Sequence, residues 1–182
     1  MFLFLSLFSA TGACLAAQYT VNMDSDVGDA NEADGICDSN LAMPGEQCTL
    51  RAALVESNYI AGIDSISFAL PLPSVIVLSG GNGRLEIYDS VSINGPGARG
   101  LTIERDGSQG VNFRIFQISG LNTSAKINGV SIVNGYADNY SGLDECSQRG
   151  GGICMRGGTL SLIDVTVRNN TAKNGGGIHI DG

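Results

Sequence analysis

Gly-Gly-Gly-Ile occurs twice near the end of this chain, at Gly150–Ile153 and again at Gly175–Ile178, a spacing of 25 residues. Self-similarity at a fixed period of that order marks an architecture of stacked repeats. One repeat cannot bury its own apolar side chains. Stacking places Ile on Ile and Val on Val in continuous ladders and pairs the backbone groups of successive repeats. The text upstream agrees. After Gly62 the chain runs through short stretches rich in Val, Ile, Leu and Phe, such as "DSISFAL", "SVIVLSG", "RLEIYDSVSINGPG", "GLTIERDG", "FRIFQISG" and "AKINGVSIVNG". Most end at Gly or Asn, as short strands between tight turns do.

Two of these stretches align. "KINGVSIVNGYA" (Lys126–Ala137) matches "LIDVTVRNNTA" (Leu162–Ala172) with Val130 on Val165, a spacing of 35 residues. The excess over 25 fits the loop "YADNYSGLDECSQRG". "DSVSING" (Asp89–Gly95) has the same form as "NGVSIVNG", which predicts that these two stretches occupy equivalent places. Asn134 and Asn169 stand at repeated turn positions, where Asn tolerates left-handed geometry and can stack. Glycine triplets mark turns where no side chain fits. The fold class predicted is all-β, a right-handed parallel β-helix (a pectin-lyase-like solenoid) over residues 63–182. An antiparallel sandwich would not repeat Gly-Gly-Gly-Ile at the length of one coil.

The first third has a different texture. "CTLRAALVESNYIAG" places Leu50, Ala53, Leu54 and Tyr59 or Ile60 near helical spacing. Thr49 is the expected cap and Gly62 the expected terminator, giving one short helix over the N-terminal end. Before it, Gln18–Gln47 holds seven acidic residues and no Lys, Arg or His. The net charge of -8 therefore belongs mostly to one segment, since the remaining eleven acids face ten Lys plus Arg. No basic face exists for a nucleic-acid backbone.

Residues 1–17 form a signal-like segment. Phe2–Ala17 is apolar and ends in small residues, and it is too short and too broken to span a membrane. No Lys or Arg precedes the run, which reads as a late start or a truncated chain. Cys14 is a candidate lipid anchor, with Thr11 a poor residue three places before it. Removing the segment leaves Cys37, Cys48, Cys146 and Cys154, an even number that reads as two disulfides in an exported protein. Local pairing, Cys37–Cys48 and Cys146–Cys154, is the simplest of three connectivities. Zinc fits poorly, because the spacings are wide and His179 is the single histidine.

Cys48-Thr49-Leu50-Arg51-Ala52-Ala53-Leu54 resembles the CSLREA motif, and "DGICD" (Asp34–Asp38), "VESN" (Val55–Asn58) and "SVSINGPGARGLTI" (Ser90–Ile103) agree with that context. The motif marks the N-terminus of exported bacterial parallel β-helix proteins. "NGGGI" (Asn174–Ile178) is similar to repeats of polymorphic outer membrane proteins. Thr49 stands in place of Ser and Ala52 in place of Glu, so any role of that carboxylate is absent. The resemblance implies a secreted or cell-surface, outer-membrane-associated passenger that is non-catalytic and serves binding or structure. Adhesion to a polysaccharide or cell surface is the expected role, by a chain that is monomeric in its full-length form. Such proteins run longer, so the stop at Gly182 reads as a fragment.

The rival expectation is the N-terminal piece of a polysaccharide lyase or glycoside hydrolase. Those need convergent carboxylates with a base or calcium on neighbouring coils. Asp164, Arg168, His179 and Asp181 are the candidates, with Asp164 and Arg168 expected on one strand face. The residues favour solvent-facing positions over a catalytic set. Asp24, Asp26, Asp29 and Asp34 are hard oxygen donors for calcium, but the pattern is not an EF-hand, and a solvated loop is the favoured reading. No cofactor is expected. Arg51 is expected to make an exposed pair with the acidic segment.

Overall fold

The computed structural model describes residues 16–137 and 146–181. Cys14 lies outside the described residues, as does all of the apolar run before it. Thirteen strands and one helix are present among the described residues. Every strand pairing is parallel. The chain is thus predominantly β, with three parallel sheets.

The first sheet comprises β1 (Gln18–Val21), β2 (Ile63–Phe68), β5 (Ser90–Asn94), β8 (Ser124–Asn128) and β11 (Thr159–Ile163), in that order. The second runs β3 (Ser74–Leu78), β6 (Leu101–Arg105), β9 (Ser131–Val133) and β12 (Thr166–Arg168). The third runs β4 (Leu85–Ile87), β7 (Phe116–Ser119), β10 (Ile153–Arg156) and β13 (Ile178–Asp181). From β2 onward the chain visits the three sheets in strict rotation.

Alternation within each strand turns one set of side chains inward, and the parallel register stacks those sets. Ile66, Ile93, Ile127 and Leu162 form one ladder. Ile76, Ile103, Ile132 and Val167 form a second. Leu85, Phe116, Ile153 and Ile178 form a third. The inner members of all three are fully or almost fully buried and belong to one apolar cluster.

The aligned stretches keep their predicted register of 35 residues, with Ile127 on Leu162, Ser131 on Thr166 and Tyr136 on Thr171. The 25-residue spacing holds between Ile153 and Ile178, but Ser74 pairs 27 residues on with Leu101, and Phe116 pairs 37 on with Ile153. "DSVSING" is corrected. Its strand β5 pairs with Ser124–Asn128 in the first sheet, whereas "VSIVNG" supplies β9 in the second. Three stretches expected to be single strands also contain two each. They bend at Tyr88–Asp89, at Gly129 (φ 65°) and at Asp164 (φ 49°). At Gly129 and Asp164 a left-handed residue redirects the chain from one sheet to the next.

The glycine triplets behave as expected. Gly150 and Gly175 are left-handed, with φ of 55° and 58°. At Gly135 and Gly151 the neighbouring backbones approach so closely that a Cβ would collide with a carbonyl oxygen, that of Gly151 in the first case and those of Thr171 and Gly176 in the second. Asn134 and Asn169 are both left-handed. Asn134 donates to Glu104 at 3.3 Å, and the neighbouring Asn170 ties successive repeats as well, accepting from Gly135 N (2.7 Å) and donating to Ile132 O (2.9 Å).

The helix α1 (Leu50–Tyr59) packs against β1, β2, β4 and β5. Thr49 caps it as predicted, its hydroxyl accepting from Ala52 N at 3.0 Å and donating to Val27 O at 2.6 Å. Leu50, Ala53 and Leu54 are buried. The end differs from expectation. The chain leaves the helix at Ile60, in extended conformation, two residues before Gly62, and Tyr59 swings into solvent while Ile60 packs on the core.

Candidate functional site

Arg51 does pair with the acidic segment, but the pair is not exposed. Its Nε lies 2.7 Å from Asp26 Oδ1, and the two side chains retain 13% and 4% of their accessible surface. The remaining guanidinium nitrogens donate to the carbonyls of Arg84 (3.0 Å) and Gly83 (2.7 Å). Asp26 Oδ2 accepts from Ser79 N at 2.8 Å and from its hydroxyl at 3.2 Å. One ion pair therefore fastens three segments together: the acidic loop, α1 and the turn before β4.

Glu56, on the same helix, is fully buried. Its two oxygens accept the backbone N–H groups of Ala33 and Gly35, both at 2.7 Å. Burial pushes its carboxyl above the usual range, against those two donors, and Asp29 and Asp34 push the same way. Cys37 and Cys48 are joined by a disulfide, as are Cys146 and Cys154, which is the local pairing expected.

These anchors leave a cleft of about 530 Å³ between α1 and the stretch Asn82–Tyr88. Leu54, Val55 and Leu85 contribute apolar lining. Its polar lining includes Glu32, Asn58, Tyr59, Arg84, Glu86 and Tyr88. Asn58 connects helix to strand, donating to Glu86 O (3.0 Å) and accepting from Tyr88 N (2.7 Å). Tyr59 and Tyr88 are 59% and 50% exposed. Each phenol is held by a carboxylate: Tyr59 donates to Glu32 at 3.2 Å, and Tyr88 donates to Glu86. Arg84 lies 2.9 Å from the other Glu86 oxygen. Partial burial and the Glu86 bond push the Tyr88 phenol up to about 12. The bond to Glu32 raises that of Tyr59. Both phenols therefore stay protonated as donors at neutral pH. The arrangement offers oriented aromatic rings, carboxylate acceptors and an apolar floor, the usual makings of a small-molecule or glycan site.

None of these groove residues was singled out from the sequence for binding. Of the two alternatives Tyr59 and Ile60 for the apolar face of the helix, Ile60 packs on the core and Tyr59 is left to the groove. "RLEIYD" carried the signal, since Glu86 and Tyr88 alternate outward between Leu85 and Ile87, but alternation alone does not separate a site from an ordinary solvent face.

The four candidate catalytic residues are not brought together as one set, although His179 and Asp181 are neighbours. Asp164 sits in a left-handed corner ahead of β12, so strand alternation does not pair it with Arg168, and its carboxylate accepts from Ala98 N at 3.3 Å. Arg168 is in the second sheet, whereas His179 and Asp181 are in the third. Asp181 is bound by Arg149 at 2.6 Å, with His179 Nε2 3.5 Å away and not hydrogen-bonded. Three of the calcium candidates are engaged by protein donors. Asp26 is engaged by Arg51, Asp29 accepts from the backbone of Asn31 and Asp38, and Asp34 accepts from Asn31 and from Ile36 N. Among the described residues no three potential metal ligands converge.

No family model matches the chain, and no curated protein or solved structure matches it significantly. Among the described residues no helix is long and apolar enough to cross a membrane. That observation and the two disulfides are compatible with an extracellular protein.

Proposed function

We propose that the chain is an exported, non-catalytic binding protein of the cell surface or secreted medium, built as a right-handed parallel β-helix under a CSLREA-type N-terminal cap. The rotation of successive strands among three parallel sheets supports the β-helix. The resemblance of Cys48–Leu54 supports the cap. The ligand class is a polysaccharide or a cell-surface glycan, and the observation that carries it is the groove between α1 and β4. A sugar ring presents C–H faces that stack on tyrosine and hydroxyls that donate to carboxylates. Tyr59 and Tyr88 offer the first, and Glu32 and Glu86 the second. Because each phenol is already bonded to a carboxylate, little ordering remains to be done on binding.

Binding of neutral and acidic polysaccharides to the folded protein, followed calorimetrically, tests this. Tyr59→Ala and Tyr88→Ala should each weaken binding by about tenfold, or about 1.4 kcal/mol. Binding unchanged in both variants would remove the groove from the account. Release of new reducing ends or unsaturated products would make the enzyme reading the better one.

A further inference from the structure

Asp64 stands where an apolar residue is expected. It heads an inward-facing ladder that continues through Val91, Ala125 and Leu160. Its side chain is fully buried. Oδ1 accepts the backbone N–H of Ala17 at 2.7 Å, while Oδ2, equally buried, has no hydrogen-bond partner. Burial raises its carboxyl above the ordinary range, Asp89 adds repulsion, and the Ala17 N–H offsets only part. A buried carboxylate half-satisfied in this way is costly unless a cation completes it.

The cation can come from Ala17 itself. Ala17 is the last residue of the apolar, signal-like run, and export processing favours small residues at the first and third places before the cut. For the Ala16–Ala17 bond those places hold Ala16 and Cys14. One bond later they hold Ala17 and Leu15, and leucine is not small. Ala16 is exposed and Ala17 partly so, so the bond lies at the surface, with the Asp64 contact just inside it.

We propose that an export endopeptidase cuts between Ala16 and Ala17, and that Asp64 is the built receptor for the α-ammonium that results. Water adds across the amide. The carboxylate stays on Ala16 and leaves with the leader, and the amine stays on Ala17 and takes up a proton. Where the uncut amide offers one N–H, the ammonium offers three. One keeps the bond to Oδ1, and a second supplies the partner that Oδ2 lacks. Processing thus converts an unpaired buried charge into an ion pair at the edge where β1 joins β2. The inference rests on the export reading given above.

The first measurement is the N-terminus of the exported protein, by intact mass and terminal sequencing. Ala17 is expected. A terminus at Gln18, or a lipidated one at Cys14, overturns the inference and leaves export standing. Retention of the leader overturns both. The second compares thermal unfolding of the chain that starts at Ala17 with its Nα-acetylated form. Acetylation should lower the midpoint by about 5 °C, the scale expected for a lost charge-assisted bond in a chain of this size. In Asp64→Asn that difference should vanish, since the two changes remove one interaction. A purely structural Asp64 would leave the acetylation effect unchanged in the variant, which also overturns the inference. Should Asp64→Asn fail to fold, NMR titration of the wild-type α-amine decides. A pKa above the ordinary range of about 7.7–8.0 supports the pair, and a value within it does not.

Discussion

Residues 18–62 and residues 63–181 are held by different kinds of contact. The first region owns one short strand and one helix, and it is fixed by contacts that each occur once: Asp26 with Arg51, Glu56 with the Ala33 and Gly35 amides, Cys37 with Cys48. The second repeats one arrangement from β2 to β13, with apolar ladders inside and a left-handed residue at most of the corners between sheets. The physical reason lies in what each must cover. A repeat finds its partner in the next repeat, so one sequence pattern serves every interface. At the N-terminal side the strands meet residues 18–62, which do not share their pattern, so that segment must fit a surface unlike itself. Directional polar contacts can set that geometry, where loose apolar contact would leave it undetermined. A single lesion should therefore release the N-terminal region as a unit, whereas one in the ladders should be shared by neighbouring repeats.

The sharpest way to break this contrast is Arg51→Ala. It leaves Asp26 buried without its cation, and losing one partner of a buried pair costs about 3–5 kcal/mol. Urea unfolding should show that loss, with residues 18–62 becoming protease-sensitive before the strands do. A loss below 1 kcal/mol would mean that Asp26 is not buried in solution. Next comes the ladder. Ile127→Ala removes a fully buried side chain stacked between Ile93 and Leu162. It should cost about 2–5 kcal/mol, while Ile163→Ala, at a position 47% exposed, should change stability little. Equal effects would contradict the assigned inward face.

Two smaller tests follow. Gly135→Ala forces a methyl group onto the Gly151 carbonyl and should cost about 1–3 kcal/mol through backbone displacement. Gly28→Ala, in the acidic loop, meets open space at ordinary φ and should be close to neutral. The smallest effect is the pH dependence of Glu56. Its carboxyl is raised in the folded state, so as pH rises through the carboxylate range the unfolded chain releases its proton first. The stability it contributes is whole below the ordinary Glu range and is lost as pH climbs through the raised value. Moving from pH 7 to 5 should thus stabilise the wild type relative to Glu56→Gln. Parallel pH profiles would remove Glu56 from the account.

Much of the strand region was legible because a repeat writes its own register. The Gly-Gly-Gly-Ile pair and the match of Lys126–Ala137 with Leu162–Ala172 predicted Ile153 over Ile178 and Ile127 over Leu162. The Thr49 cap was legible from local chemistry. Sheet membership was not. Alternation has the same period of two in all three sheets, so "DSVSING" resembles strands of both the first and the second. The corners at Gly129 and Asp164 hid inside runs that read as one strand. The groove and the buried acids were least visible. Glu56 and Asp64 look like ordinary surface carboxylates until folding delivers amides from 21 to 47 residues away.

The uneven spacing of the repeats bears on how such a chain can change over generations. Phe116 finds its partner Ile153 after 37 residues, and Ile153 finds Ile178 after 25, yet both pairs keep parallel register in one sheet. Lengthening a flexible connection costs little, about 0.6 kcal/mol per doubling. An insertion between strands is then nearly neutral for the interior, while a residue added within a strand would turn its whole inward set outward. Selection can thus build new protrusions at the connections of one lineage after another while the ladders beneath them stay as they were.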